Sequence, residues 1–200
     1  MRIGLFGGTF DPPHLGHLAL ANAAYEQLNL ERILWILTGV QPLKIGQQIT
    51  PPEHRLKMLQ LALQGQPHFV ISLIELQRPG PHYSVDTVGL LAKRYPKDDL
   101  IFLMGGDSLR DLPRWHSPAE LVALCAEIGV MHRAGEALDL AALDMQIPGL
   151  MAKIRFINVP LVDISASKIR EAIAAGLDVS HLLAPPVYIY IQQHGLYQNI

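Results

Sequence analysis

The chain has 200 residues, half of them apolar and only 17% charged, with a mean hydropathy of +0.21. That composition excludes extended disorder. Sixteen Lys and Arg against eighteen Asp and Glu give a net charge of −2, which excludes the basic footprint of an extended nucleic-acid interface but not a small anionic ligand in a local pocket. The single cysteine, Cys125, rules out an internal disulfide framework and suits a reducing compartment; its neighbours Leu124 and Ala126 read as core rather than as the setting of a reactive thiol. No apolar run approaches the roughly 20 residues of a membrane-spanning helix. Gly7, Gly8 and Asp11-Pro12-Pro13 break the first run too early for a signal peptide. The expectation is a cytoplasmic protein with neither a membrane nor a nucleic-acid partner.

Short apolar runs alternate with helical periods along the chain. Ile3–Phe6 reads as a buried strand stopped by Gly7-Gly8, and Leu15–Leu28 as a helix with Leu18, Ala21, Ala24, Tyr25 and Leu28 on one side. Ile33–Leu37 is a second strand, followed by a loop through Pro52, an amphipathic helix over Glu53–Leu63 and a third strand over Phe69–Leu76. Ser84–Arg94 is a helix that Tyr95-Pro96 ends. Leu100–Met104, Ile128–Met131 and Ile154–Val159 are further strands, with a helix over Pro118–Leu124. Helix and loop are both compatible with Ala134–Lys153. Ser165–Ala175 is a helix closed by Gly176, and Pro185–His194 one opened by two prolines and closed by Gly195. Strands rich in Val, Ile and Leu, separated by helices, predict a parallel sheet covered on both faces. Such sheets bind ligands beyond the carboxyl ends of their strands. No internal repeat or linker divides the chain, so one domain over 1–200 is expected.

The first strand-to-helix loop, Gly7-Gly8-Thr9-Phe10-Asp11-Pro12-Pro13-His14-Leu15-Gly16-His17, carries the most information. Its glycines let the backbone approach a ligand closely. Asp11 followed by Pro12 has the form of an N-cap with proline at the first helical position, which places His14 and His17 three residues apart on one face of the first turn. Two imidazoles beside the free amides of a helix N-terminus make an anion site. The segment has neither the Walker ending nor the G-x-G-x-x-G spacing. His-x-x-His also suits zinc, but no third ligand sits at a recognisable spacing, so no protein-held metal is expected. Two capping histidines beside a glycine turn are the plain alternative.

GGTFDPPHLGH resembles the signature of the nucleotidyltransferase superfamily whose motif is (His/Thr)-x-Gly-His, filled here by His14-Leu15-Gly16-His17. The version opening Gly-Gly-Thr-Phe-Asp-Pro is similar to that of the nicotinate-nucleotide adenylyltransferases. The resemblance implies a Rossmann-like, doubly wound parallel sheet with C-terminal helices. It implies that Gly7, Gly8, Thr9 and Phe10 border ATP. Ile164-Ser165-Ala166-Ser167-Lys168-Ile169-Arg170 resembles the second signature, Ile-Ser-Ser-Thr-x-Ile-Arg, with Ala166 and Ser167 as departures. There Ile164, Ser165, Ser167 and Arg170 open a helix whose amides, hydroxyls and guanidinium suit the β- and γ-phosphates; a simple capping motif is the other reading.

Gly105-Gly106-Asp107-Ser108-Leu109 resembles Gly-x-Asp-Ser-Leu, in which Gly105 and Asp107 border the adenosine and its ribose. Trp115-His116 stands where the family sets an aromatic pair against the pyridine ring, with a core tryptophan as the competing reading and His116 a departure from Tyr. His82-Tyr83-Ser84-Val85-Asp86-Thr87 resembles Tyr-Thr-x-Asp-Thr, so Tyr83 and Ser84 are candidates for the nicotinate carboxylate; Ser84 as a plain N-cap needs no ligand. Thr38 stands where relatives use Asn, Lys44 and Arg55 add positive charge, and Arg133 matches an arginine on the adenine side.

The implied reaction joins ATP and nicotinate mononucleotide to give deamido-NAD and pyrophosphate. The attacking phosphate is already ionised near neutrality, its second pKa being about 6, so no side-chain base is required. His14 is expected to orient the triphosphate, His17 to bond the α-phosphate, and Arg170 with Ser165 to hold the β/γ end. Mg²⁺, bound chiefly through phosphates and water, neutralises the remaining charge. A different phosphate acceptor (nicotinamide mononucleotide or phosphopantetheine) and a silent nucleotide sensor are the alternatives. Nothing in the sequence speaks against a homo-oligomer.

Overall fold

A strand with apolar residues at successive positions buries both faces, which is stable only inside a sheet sandwiched between helices. The computed structural model describes residues 1–39, 49–132, 138–159 and 164–198. Within them β1 (Arg2–Gly8), β2 (Arg32–Leu37), β3 (Phe69–Ser72), β4 (Asp99–Gly105), β5 (Glu127–His132) and β6 (Ile154–Asn158) form one sheet in the order β3-β2-β1-β4-β5-β6. Every neighbouring pair is parallel.

The period of two along each strand splits the core in two. Ile3 and Leu5 of β1, Leu34 and Ile36 of β2, and Leu100, Phe102 and Met104 of β4 face one side. There they meet α3 (Ser84–Arg94), α4 (Gly106–Asp111), α5 (Pro118–Leu124), α6 (Leu140–Gln146) and α7 (Leu150–Lys153) through Val88, Leu109, Leu121, Leu143 and Leu150. Phe6, Trp35, Leu37, Ile101 and Leu103 face the other side, against Leu20, Ala21 and Ala24 of α1 (Leu15–Gln27) and Leu59 of α2 (Pro52–Ala62). A third cluster joins Met58 of α2 to Ile169 and Ile173 of α8 (Ala166–Ala174), to Val187 and Ile191 of α9 (Pro185–Gln193) and to Tyr197. Cys125 is buried in the first cluster, which pushes its thiol up to about 12 and leaves it unreactive near neutrality.

One expectation needs revision. The third strand ends at Ser72 and not at Leu76, because the chain turns over residues 74–77 while Leu73, Ile74 and Leu76 still pack onto the two cores. The apolar pattern there reflects burial without a ladder. The ambiguous stretch 134–153 contains two short helices, α6 and α7, of which Asp139 caps the first by accepting from the Ala142 amide at 2.9 Å. Among the described residues no helix is long and apolar enough to cross a membrane.

The strand order has one functional consequence. Connections from β1 run outward through β2 to β3, then return to β4 on the opposite side of β1. The loops leaving β1 and β4 therefore diverge and open a crevice at the carboxyl ends of those strands.

Candidate active site

A cavity of about 670 Å³ occupies that crevice. Its floor is the ends of β1 and β4 with Phe6, Phe102 and Leu103; its walls are the β1–α1 loop, the start of α8, and a cluster around Glu75, His82 and Ser84.

The helix α1 starts later than the Asp11-Pro12 pattern suggests. Its N-cap is His14, with φ −137° and ψ 169°, and the cap is reciprocal. Nδ1 of His14 accepts from the His17 amide at 3.3 Å, and Nδ1 of His17 accepts from the His14 amide at 3.2 Å. A Ser/Glu capping box is thus built here from two imidazoles, and the rings stack with centroids 3.6 Å apart. Because each Nδ1 is an acceptor, each ring carries its proton on Nε2. Burial lowers the pKa of His14 to about 4, so at neutral pH it is a neutral hydrogen-bond donor.

Two glycines make room for this arrangement. A Cβ on Gly16 would lie 3.1 Å from Nδ1 of His14, and one on Gly8 would lie 2.7 Å from the ring of Phe10. Phe10 itself is buried with φ 48°, its ring 5.1 Å from those of His17 and Trp35. It borders the cavity mainly as a support under His17.

Asp11 has a different task from the expected cap. It is buried; Oδ1 accepts from the Tyr197 hydroxyl at 2.6 Å and Oδ2 from the Thr50 amide at 3.1 Å. Arg55 is likewise no phosphate ligand. It is buried, and its guanidinium donates to the carbonyls of Thr9, Thr38 and Thr50 at 2.8–2.9 Å. Burial lowers its pKa against the opposing pull of Asp11, yet a guanidinium stays charged.

Across the cavity Ser165 caps α8, accepting from the Lys168 amide at 3.2 Å. Ile164, Ser165, Ser167 and Arg170 all line the cavity, and Arg170 donates to the Asp11 carbonyl at 2.8 Å. Two helix N-termini, those of α1 and α8, therefore bracket one space.

The cytidylyltransferase-like family model matches residues 5–172. The nicotinate-nucleotide adenylyltransferase of Bacillus subtilis is 37% identical over 99% of each chain. The chain belongs to the nicotinate-nucleotide adenylyltransferases. The probable nicotinate-nucleotide adenylyltransferase of Thermomicrobium roseum is 47% identical, covering 100% of this chain and 92% of that relative. In fold the chain is similar to Plasmodium falciparum nicotinic acid mononucleotide adenylyltransferase complexed with NaAD, with TM-score 0.80 at 20% identity, over 98% of this chain and 97% of that one.

Seen as a member of that family, the chain brings together most of the residues its motifs single out. Gly7, Gly8, Thr9, Phe10, His14, His17, Thr38, Ser84, Gly105 and Trp115 line the same cavity as the α8 residues. Trp115 lines the cavity and also packs edge-on against Phe102 in the core, ring centroids 6.2 Å apart. Three expected contacts fall outside the lining. Asp107 is the second residue of α4, turns outward and pairs with Arg110 at 3.0 Å, while Ser108 faces the cavity in its place. Tyr83 is the N-cap of α3, which makes Ser84 the first helical residue and not the cap. The Tyr83 ring packs against the core and against exposed His116, centroids 4.3 Å apart, so neither ring reaches the cavity. Lys44 and Arg133 lie outside the described residues.

The motifs did not reveal one wall. Glu75 is buried beside the cavity; Oε1 accepts from the Thr87 hydroxyl at 2.9 Å and Oε2 from the Gly39 amide at 3.2 Å. Arg78 reaches the Thr87 oxygen at 2.7 Å, and the His82 Nε2 donates to the Arg78 carbonyl at 3.0 Å. Burial raises the Glu75 pKa, while the bonds from Thr87 and Gly39 and the charges of His82 and Arg78 lower it. Glu75 sits inside the stretch read as a strand, and only the turn over 74–77 carries it to the pocket.

Proposed function

We propose that the chain transfers the adenylyl group of ATP to nicotinate mononucleotide, releasing pyrophosphate and forming deamido-NAD. The observation that carries this reading is the pair of helix N-termini bracketing one cavity, with the stacked His14–His17 pair on one side and Ser165, Ser167 and Arg170 on the other. Amides, neutral N–H donors and one guanidinium suit a polyphosphate, and Gly105 with Ser108 at the opening of α4 suits the adenosine.

The acceptor's 5′-phosphate, ionised near neutral pH, attacks the α-phosphorus in line with the bond to the β-phosphate. The new P–O bond forms as the Pα–O–Pβ bond breaks, and that electron pair leaves on pyrophosphate. No proton has to be removed from the nucleophile, so the site needs donors rather than a base. Nε2–H of His17 meets charge building on the α-phosphate, Nε2–H of His14 orients the chain, and Ser165 and Arg170 receive the departing pyrophosphate.

Magnesium enters with the substrate as MgATP and offsets part of the phosphate charge. Among the described residues no group of three or more His, Cys, Asp or Glu is placed to hold a metal, and the oxygens of Asp11 and Glu75 already accept bonds. The pyridine ring lies against Trp115, and its carboxylate faces the first turn of α3, where Ser84 supplies a hydroxyl and helix geometry supplies unpaired amides. We place the reaction in the cytoplasm, which suits a reduced, buried Cys125.

The test is pyrophosphate release from MgATP with a panel of acceptors. Nicotinate mononucleotide is expected to turn over fastest, ahead of nicotinamide mononucleotide, with phosphopantetheine inactive. ATP binding without pyrophosphate release from any acceptor would make the chain a nucleotide sensor instead.

A further inference from the structure

The phosphate-binding loop between β1 and α1 is held from a point 186 residues away. Asp11, three positions before His14, is bonded at each of its oxygens. Its carboxylate takes the Tyr197 hydroxyl and the Thr50 amide, and its carbonyl takes Arg170. Of these partners only Tyr197 lies beyond α9, in the turn that follows it. It is buried among Met58, Ile173 and Ile191, which fixes the ring, and it adopts φ 68°. A tyrosine occupies that left-handed region at a cost, so the surrounding contacts determine the conformation. Burial and the neighbouring Asp11 carboxylate both push the hydroxyl well above the usual tyrosine range, so it stays a donor throughout the working pH range.

We propose that Tyr197 is a positioning residue for adenylyl transfer: its hydroxyl, through Asp11, sets the place of the loop that ends in the His14–His17 cap. The inference rests on the transfer activity proposed above. His14 caps α1 only if the chain enters the helix at the observed angle, and residues 11–14 make that entry. A buried bond of 2.6 Å between Asp11 and Tyr197 anchors the entry to the apolar cluster that packs α8 against α9. The loop is thereby preorganised before nucleotide arrives, which spares the transition state the cost of ordering it.

The experiment compares the whole chain with Tyr197→Phe, which keeps the buried ring and removes only the hydroxyl, with Asp11→Asn, and with the double variant. Pyrophosphate release from MgATP and nicotinate mononucleotide is measured alongside Tm. For Tyr197→Phe the expected result is kcat reduced by roughly ten- to a hundredfold, the size of effect a displaced site produces. KM for nicotinate mononucleotide should stay within about twofold, because the acceptor wall is not attached to Asp11. The double variant should be no slower than the slower single variant, since the two groups act as one unit. A wild-type kcat in Tyr197→Phe overturns the proposal. So does additivity in the cycle, or a loss of activity that merely follows the unfolded fraction.

A second readout needs no turnover. In histidine-labelled protein, the ring Cε1–H signals of His14 and His17 should shift in Tyr197→Phe while that of exposed His116 stays in place. Unmoved His14 and His17 signals would also overturn the proposal. If wild-type protein released no pyrophosphate, the activity assignment would fail, and the ring signals would still decide whether Tyr197 positions the loop.

Discussion

His14 shows how burial selects a chemical role. Its pKa is about 4 in the folded chain against 6.5 for the free side chain, so between those values the unfolded chain binds more protons. Stability contributed by the neutral ring is complete above about pH 6.5 and is lost as pH falls toward 4, a swing on the order of 3 kcal/mol. His14→Asn keeps an acceptor at the N-cap but cannot titrate. The variant should therefore gain on wild type by about that amount between pH 7 and pH 4, measured as the difference in urea unfolding free energy; parallel pH profiles would refute the buried, neutral ring. His17 is the group assigned to the α-phosphate. Its replacement by alanine should lower kcat by roughly a hundredfold or more, the cost of deleting one preorganised donor, with only a small loss of Tm. Trp115→Ala should raise KM for nicotinate mononucleotide by roughly two- to tenfold, the value of one aromatic stack, while KM for ATP holds. A change confined to stability would make Trp115 purely a core residue.

At the scale of elements, the functional geometry sits at helix beginnings. The start of α1 is a capping box made of two histidines, so one pair of side chains both ends the loop and faces the cavity. Gly16 separates them because a methyl group there would press on the His14 ring at 3.1 Å. Gly16→Ala should thus reduce kcat while leaving Tm unchanged or slightly higher, since alanine favours the helix by up to about 1 kcal/mol over glycine. Equal activity in that variant would mean that the ring has room to give. The start of α8 combines a serine cap with a place in the cavity lining in the same way. Ser165→Ala should cost about 1 kcal/mol of stability and also raise KM for ATP, whereas a pure cap would show only the first effect. The α3 start differs. Tyr83 occupies the cap with its side chain turned to the core, which frees the Ser84 hydroxyl from capping and leaves it at the cavity wall.

At the scale of the molecule, three stretches far apart in sequence must meet for the pocket to exist, and buried polar groups join them. Arg55 ties the β1 loop to the end of β2 and to Thr50; Asp11 ties the same loop to Thr50, α8 and Tyr197. Removing the cation would leave three carbonyls without their donor, the one on Thr38 in a fully buried contact. Arg55→Met should cost about 3 kcal/mol or more, which for a chain of this size lowers Tm by roughly 6–12 °C. Activity measured well below that Tm should fall as well, because Thr9 and Thr38 border the cavity.

Local pattern alone determined a good deal of this protein. Runs such as Ile33–Leu37 bury both faces, and that requirement makes a parallel sheet whichever partners the strands find. The glycines and histidines of the first loop, and Ser165 with Arg170, announce phosphate chemistry because those residue types act through their own backbone and rings within a few positions. What the tertiary structure alone decided depends on distance and burial. Asp11 has the form of a helix cap in the linear text, but its partner is Tyr197. Arg55 resembles a phosphate ligand until the fold surrounds it with carbonyls. Glu75 is hidden inside an apolar stretch, and Asp107 matches a motif yet turns to solvent. A side chain's role is set by the groups that replace water around it, and those groups come from parts of the chain that no local pattern connects.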